Sequence, residues 1–148
     1  MKLLAEKPLQ EILNGLKSNT GISSATLITE DGLLIASDEA SSTLERMSHL
    51  AEIGAISAGI LSMAERAIEL ITDKNLDQIT LKGGKDDDDS SVTIVLSSIY
   101  QNIILLVMFP SKLNIGLVFY EIENVKNKIE EFMNSCETEV LLNAESVL

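Results

Sequence analysis

The sequence has very little cysteine, histidine and arginine. Cys136 is the only cysteine of the 148 residues, so the chain cannot form an internal disulfide or a cysteine-based zinc site. His49 is the only histidine, and a catalytic triad or a histidine–metal cluster would have to use it alone. We therefore expect no metal, no other cofactor, no enzymatic activity and a reducing, cytoplasmic location.

Basic residues are also scarce. The chain has 11 Lys and Arg against 23 Asp and Glu, and its net charge of −12 repels phosphate backbones and anionic lipid. We therefore expect no nucleic-acid partner. The longest apolar run covers residues 103–109, whereas a membrane-spanning helix needs about 20 residues, so we expect no membrane span.

The hydrophobic pattern predicts one α+β domain. Helical spacing predicts a first helix from Pro8 to a break at Ser18–Gly21, a long helix over Leu44–Ile71 and a closing helix over Leu113–Asn134. Thr43 and Ser111 are the expected N-caps of the second and third helices.

Five short runs predict the strands of an antiparallel sheet, over residues 25–29, 33–37, 77–82, 92–98 and 102–109. Asp31 and Gly32 lie between the first two runs and predict a hairpin turn. The last run is apolar on both faces, which is typical of a central strand, whereas the third alternates polar and apolar residues like an edge strand. The predicted order is helix, two strands, helix, three strands, helix.

The long helix has no charged residue from Ile53 to Ala64, although a helix on a sheet normally shows water a polar face. Helical spacing separates a bulky face from a face of small residues. The bulky face holds Ile53, Ile56, Ile60, Met63 and Ile71, and we expect it on the sheet. The small face holds Ala51, Ala55, Ala58 and Ser62, with Gly54 and Gly59 nearby, and it predicts close contact with a second helix in a homodimer. The alternative is that these small residues contact another segment of the same chain.

Several other motifs have ordinary structural explanations. Ser57 lies within a helix rather than at the sharp turn that a nucleophilic serine needs. The segment Lys82–Asp86 lacks the first glycine and the Ser or Thr of a phosphate-binding loop. The acidic run Asp86–Asp89 predicts a solvated turn rather than a calcium loop, and Cys136 predicts a packed thiol.

Residues 21–37 read GISSATLITEDGLLIAS, which resembles the hairpin of the Roadblock/dynein light chain family, approximately G-(V/I)-x-G-A-x-(L/V)-x-x-x-D-G-L-x-(I/V)-A-S. The Ala- and Gly-rich second helix, the three later strands and the start of the last helix are also similar to that family. The resemblance covers residues 8–136, and residues 137–148 form an additional amphipathic tail. The chain departs from the pattern at Ser24, in the Asp86–Asp89 run and in this tail.

The resemblance implies a five-stranded antiparallel sheet with the long helix on one face and the terminal helices on the other. It also implies dimers that pair their second helices and join their third strands edge to edge, which adds Gln78 and Thr80 to the expected interface. Family members act as scaffolds for, or regulators of, Ras-like small GTPases, so the resemblance implies such a partner. A structural adaptor subunit of a larger complex, as in dynein light chains, and a small-ligand-sensing domain are the alternatives.

An arginine finger for a GTPase would have to be Arg46 or Arg66, the only arginines of the chain. Both lie on the long helix, where we expect them to pair with Glu45, Glu65 or Glu69 instead. Any effect on hydrolysis would then act indirectly, through ordering of the GTPase switch loops.

Overall fold

The helices and strands follow one another along the chain in the predicted order. The computed structural model describes the backbone of residues 6–38, 44–85 and 89–147, and the side chains of residues 7–38, 48–85 and 89–136. The elements are α1 (Glu6–Thr20), β1 (Ser24–Thr29), β2 (Leu34–Ser37), α2 (Leu44–Ile71), β3 (Gln78–Gly83), β4 (Val92–Tyr100), β5 (Ile103–Pro110) and α3 (Ile115–Val147).

The five strands form one antiparallel sheet in the order β2-β1-β5-β4-β3. The predicted places of two strands are confirmed, since β5 is central and β3 is at an edge. Residues Ile103–Val107 of β5 are all buried, because helices cover both faces of the sheet at this strand. The half-polar β3 is only partly buried, as an edge strand is.

Two apolar cores lie on opposite faces of the sheet. The larger one joins α1 and α3 to the sheet and includes Leu13, Leu16, Ile122 and Ile129, each no more than 2% exposed. The smaller one lies under α2 and is centred on Ile28, Leu61, Leu96, Ile104 and Leu106. The expected α+β fold, with the long helix on one face and the terminal helices on the other, is therefore confirmed.

The N-cap of α3 differs from the prediction. The Oδ1 atom of Asn114 accepts hydrogen bonds from the backbone N–H groups of Gly116 (3.0 Å) and Leu117 (3.3 Å). Ser111, the expected cap, instead lies 2.9 Å from the Ser91 hydroxyl and 2.8 Å from the Thr93 hydroxyl. The helix therefore begins two residues later than Leu113 and continues to Val147, well past Asn134. Thr43 lies outside the described residues.

Asp38, directly after β2, ties α1 to the first hairpin. Its carboxylate is completely buried and accepts hydrogen bonds from the Ala25 N–H (3.1 Å) and the Ser24 hydroxyl (3.4 Å). The Lys17 ammonium group on α1 forms a 3.2 Å ion pair with it. A buried carboxylate needs such donors, because an unpaired charge in the core costs several kcal/mol.

The turn between β1 and β2, called the Gly32 turn below, lies directly against the backbone of α2. Gly32 has a φ of +87°, and its N–H donates to the Thr29 carbonyl at 2.9 Å. A Cβ at Gly32 would lie 2.8 Å from the Ala55 Cα and 3.3 Å from the Gly54 carbonyl oxygen. Only glycine therefore fits between the turn and the helix.

We expect Gly32→Ala to lower the free energy of unfolding by about 2–4 kcal/mol, because left-handed strain adds to a clash with the helix backbone. Gly21 is a matched control: its φ is +79°, but no atom lies within 4 Å of the position that a Cβ would occupy there. Gly21→Ala should cost only the strain, about 1–2 kcal/mol. Urea denaturation followed by circular dichroism, at one protein concentration, measures both. Equal losses for the two variants would contradict the close contact between turn and helix.

Candidate interaction surface

The outer face of α2 exposes large apolar side chains. Ile56, Met63 and Leu70 are 63%, 75% and 75% exposed, respectively. They are seven residues apart, close to two helical turns, so they lie along one line of the helix. Gly59 lies beside this line, between Ile56 and Met63. These four residues are called the outer strip.

The outer strip corrects the prediction of which face of α2 packs on the sheet. Ile56, Met63 and Ile71 were expected there, but they are exposed, Ile71 by 80%. The buried face instead has Leu50, Gly54, Ser57, Ala58 and Leu61, while Ile53 and Ile60 are half-buried at its margin. The physical reason is the Gly32 turn, which approaches so closely that only small residues of α2 fit beneath it.

The predicted interface residues on α2 therefore divide into two groups. Gly54 and Ala58 are buried within the chain, as the alternative of an intrachain contact requires. Ala51, Ala55, Gly59 and Ser62 are exposed. On the edge strand, Thr80 is exposed and Gln78 is half-buried. Leu70 is a further exposed residue that is not among the predicted interface residues, although it follows Met63 by seven residues as Met63 follows Ile56.

Gly59 is a helical glycine with open space around it in the described part of the chain. Apart from its chain neighbours and the backbone of its own helix, no described atom lies within 4 Å of the position that its Cβ would occupy. Glycine in a helix interior costs about 1 kcal/mol relative to alanine. The outer strip thus has at its centre an open position where another backbone can approach closely.

The strand β3 forms one edge of the sheet. In the described sheet β3 has one neighbouring strand, β4, so another strand could add to its outer side. Ile79 and Ile94, on the α2 side of the sheet, are only half-buried, because α2 lies closest to β1 and β2. The sheet face under α2 is therefore covered at the β2 side and less well covered at the β3 side.

A small cleft of about 240 Å³ lies between the Gly32 turn and α2. Its wall includes the carboxylates of Glu30, Asp31 and Glu65. Ligand pockets usually measure about 300–1,000 Å³ and are mostly apolar, so this cleft is a poor fit to a small-molecule sensor. Among the described side chains, no three acidic, histidine or cysteine groups are arranged to hold a metal ion.

The remaining candidate residues are separated from one another. His49 is exposed on α2, and Cys136 is half-buried near the end of the described side chains. Arg66 is exposed and forms no ion pair with a described side chain, so the expected pairs with Glu65 and Glu69 are not formed. The side chains of Arg46 and of residues 137–148 and the segment 86–88 lie outside the described residues. Within the described part of the chain, no helix is long and apolar enough to cross a bilayer.

Solved structures with this fold share little sequence with the chain. Myxococcus xanthus MglB has a TM-score of 0.73 at 16% identity, over 86% of this chain and 96% of that one. A Roadblock/LC7 domain from Streptomyces avermitilis has a TM-score of 0.70 at 16% identity, over 84% and 96%. The gliding protein MglB from Thermus thermophilus has a TM-score of 0.69 at 15% identity, over 85% and 88%. At these identities the similarity establishes the fold alone.

Sequence comparison gives the family. None of the curated protein sequences matches the chain significantly. The model of the Roadblock/LC7 domain matches residues 8–109, from the start of α1 to the end of the central strand. This match includes the hairpin with the Gly32 turn, all of α2 and the edge strand β3. The chain therefore belongs to the Roadblock/LC7 domain family.

Proposed function

We propose that this protein is a non-enzymatic, dimeric scaffold that binds a Ras-like small GTPase and modulates its nucleotide cycle in the cytoplasm. The observation that carries the proposal is the exposed apolar outer strip of α2, and the edge position of β3 supports it. Membership of the Roadblock/LC7 family supports the choice of a GTPase as partner.

The first step of the proposal is a homodimer formed by α2 and β3. Ile56, Met63 and Leu70 are already partly buried in the protomer, so burial of their remaining surface contributes about 1–2 kcal/mol for each side chain. Six such side chains in a dimer contribute roughly 6–12 kcal/mol, comparable to the roughly 4–15 kcal/mol that association costs. Backbone hydrogen bonds between the two β3 strands add to this, and they join the sheets of the two protomers.

The second step is regulation without an arginine finger. Arg66 lies on the same face of α2 as the outer strip, where a second protomer would cover it. An arginine held there is unavailable to a nucleotide bound by another protein. With Arg66 covered, the dimer would act on the GTPase by holding its switch loops in one conformation, and Arg46 is the one other arginine that could supply a charge to the transition state.

We expect Met63→Glu and Ile56→Glu each to weaken the dimer by at least tenfold, because each places a carboxylate in an apolar contact. Both side chains are exposed in the protomer, so its fold should be retained. Light scattering after size exclusion gives the mass, and circular dichroism monitors the fold. Tyr120→Glu, at a 65% exposed position on α3, is the matched control and should remain dimeric. A dimeric wild type whose mass is unchanged by both α2 variants would exclude this interface.

We expect the immobilised protein to capture a Ras-like GTPase from lysate of its source cells, with at least tenfold enrichment in a non-hydrolysable GTP analogue over GDP. The physical reason is that switch loops are ordered by the γ-phosphate. Mass spectrometry identifies the bound protein, and Met63→Glu is the control for dependence on the dimer. Capture of subunits of a larger complex, with no GTPase in either nucleotide, would favour the structural adaptor instead.

A further inference from the structure

Two opposite charges lie symmetrically about Gly59 on α2. Glu52 precedes Gly59 by seven residues and Arg66 follows it by seven. Seven residues are close to two helical turns, so both charges lie within about 20° of the line through Gly59. Both side chains are exposed, and neither forms an ion pair with a described side chain.

This symmetry matters when two copies of α2 meet through a two-fold axis. If the axis passes beside Gly59 and the helices are antiparallel, residues equally far before and after Gly59 lie opposite each other. Glu52 then faces the partner's Arg66, and Arg66 faces the partner's Glu52. In a parallel pair, Glu52 would face the partner's Glu52, and the like charges would repel. The charges therefore favour the antiparallel arrangement.

Gly59 lies midway between the two charges and is also the point of the outer strip where a second helix can approach most closely. Helix axes normally stay about 8–10 Å apart, and the side chains at the crossing point set that distance. Gly59 has open space around it and no side chain, so it permits the closest approach along the strip. Ile56 and Met63 lie on either side of it, so an antiparallel partner brings Ile56 beside the partner's Met63.

We propose that two ion pairs between Glu52 and the partner's Arg66 set the register of the paired α2 helices, with Gly59 at the point where the helices cross. This inference rests on the proposed α2 interface and specifies its geometry. The neighbouring Ile56, Met63 and Leu70 exclude water from the pairs, which strengthens them relative to pairs on an open surface. Arg66 thereby acquires a role as an interface residue.

Charge reversal tests the register. We expect Glu52→Arg and Arg66→Glu each to raise the dissociation constant of the dimer about 10- to 100-fold, because each dimer then has two repulsive pairs. The double variant restores both attractions in reversed orientation and should return to within about threefold of the wild type. Sedimentation equilibrium at about 50 mM and about 500 mM salt measures the constants, and the single-variant losses should shrink at high salt.

Two control variants distinguish the loss of the Glu52–Arg66 ion pair from the effect of a changed net charge. Glu69→Arg makes the same charge change as Glu52→Arg, but Glu69 lies about 80° around the helix from Gly59. Lys74→Glu is the counterpart of Arg66→Glu at an exposed position after α2. Each control should change the dissociation constant by less than about threefold.

The outcomes distinguish this inference from the proposed dimer. A monomeric wild type would overturn both. A dimer that Met63→Glu disrupts, but whose two charge reversals add in the double variant, would overturn the register alone. Recovery in the double variant, with both controls near the wild type, would establish the ion pair between protomers.

Discussion

The contact between the Gly32 turn and the backbone of α2 determines how the rest of the molecule is arranged. A Cβ at Gly32 would lie 2.8 Å from the Ala55 Cα, so turn and helix touch with no side chain between them. The contact holds α2 over β1 and β2 and requires small residues on the side of the helix that faces the hairpin. Ile56, Met63 and Leu70 consequently point outwards, and the β3 side of the sheet is less well covered.

The positions of the strands can be predicted from the sequence, whereas the orientation of α2 cannot. The central place of β5 follows from its two apolar faces, and the edge position of β3 follows from its polar alternation. The orientation of α2 does not follow from its sequence, because residues 53–64 have no charge to mark the solvent side. The predicted interface residues depend on the orientation of α2 and are only partly exposed for this reason. Gly54 and Ala58 are buried, whereas the exposed Leu70 was not predicted. Only the contact between residues 32 and 55, distant in sequence, decides it.

The N-cap of α3 is likewise decided by a contact with residues that are distant in sequence. Both Ser111 and Asn114 are good N-cap residues, and either is compatible with the apolar spacing that follows. Ser111 is instead close to the hydroxyl groups of Ser91 and Thr93 at the start of β4. These contacts leave Asn114 as the N-cap. The helix α3 therefore begins at Ile115, three residues later than a helix capped by Ser111 would begin.

The two faces of the sheet differ in how well helices cover them. The face under α1 and α3 holds the larger core and is braced by the Lys17–Asp38 ion pair, so the protomer does not depend on α2 alone for its stability. The opposite face can therefore present apolar surface to a partner. That surface is free of charge from Ile53 to Ala64, and the nearest charges in line with it, Glu52 and Arg66, cancel. A chain with a net charge of −12 thus has a nearly neutral strip on α2, and the proposed dimer would form there.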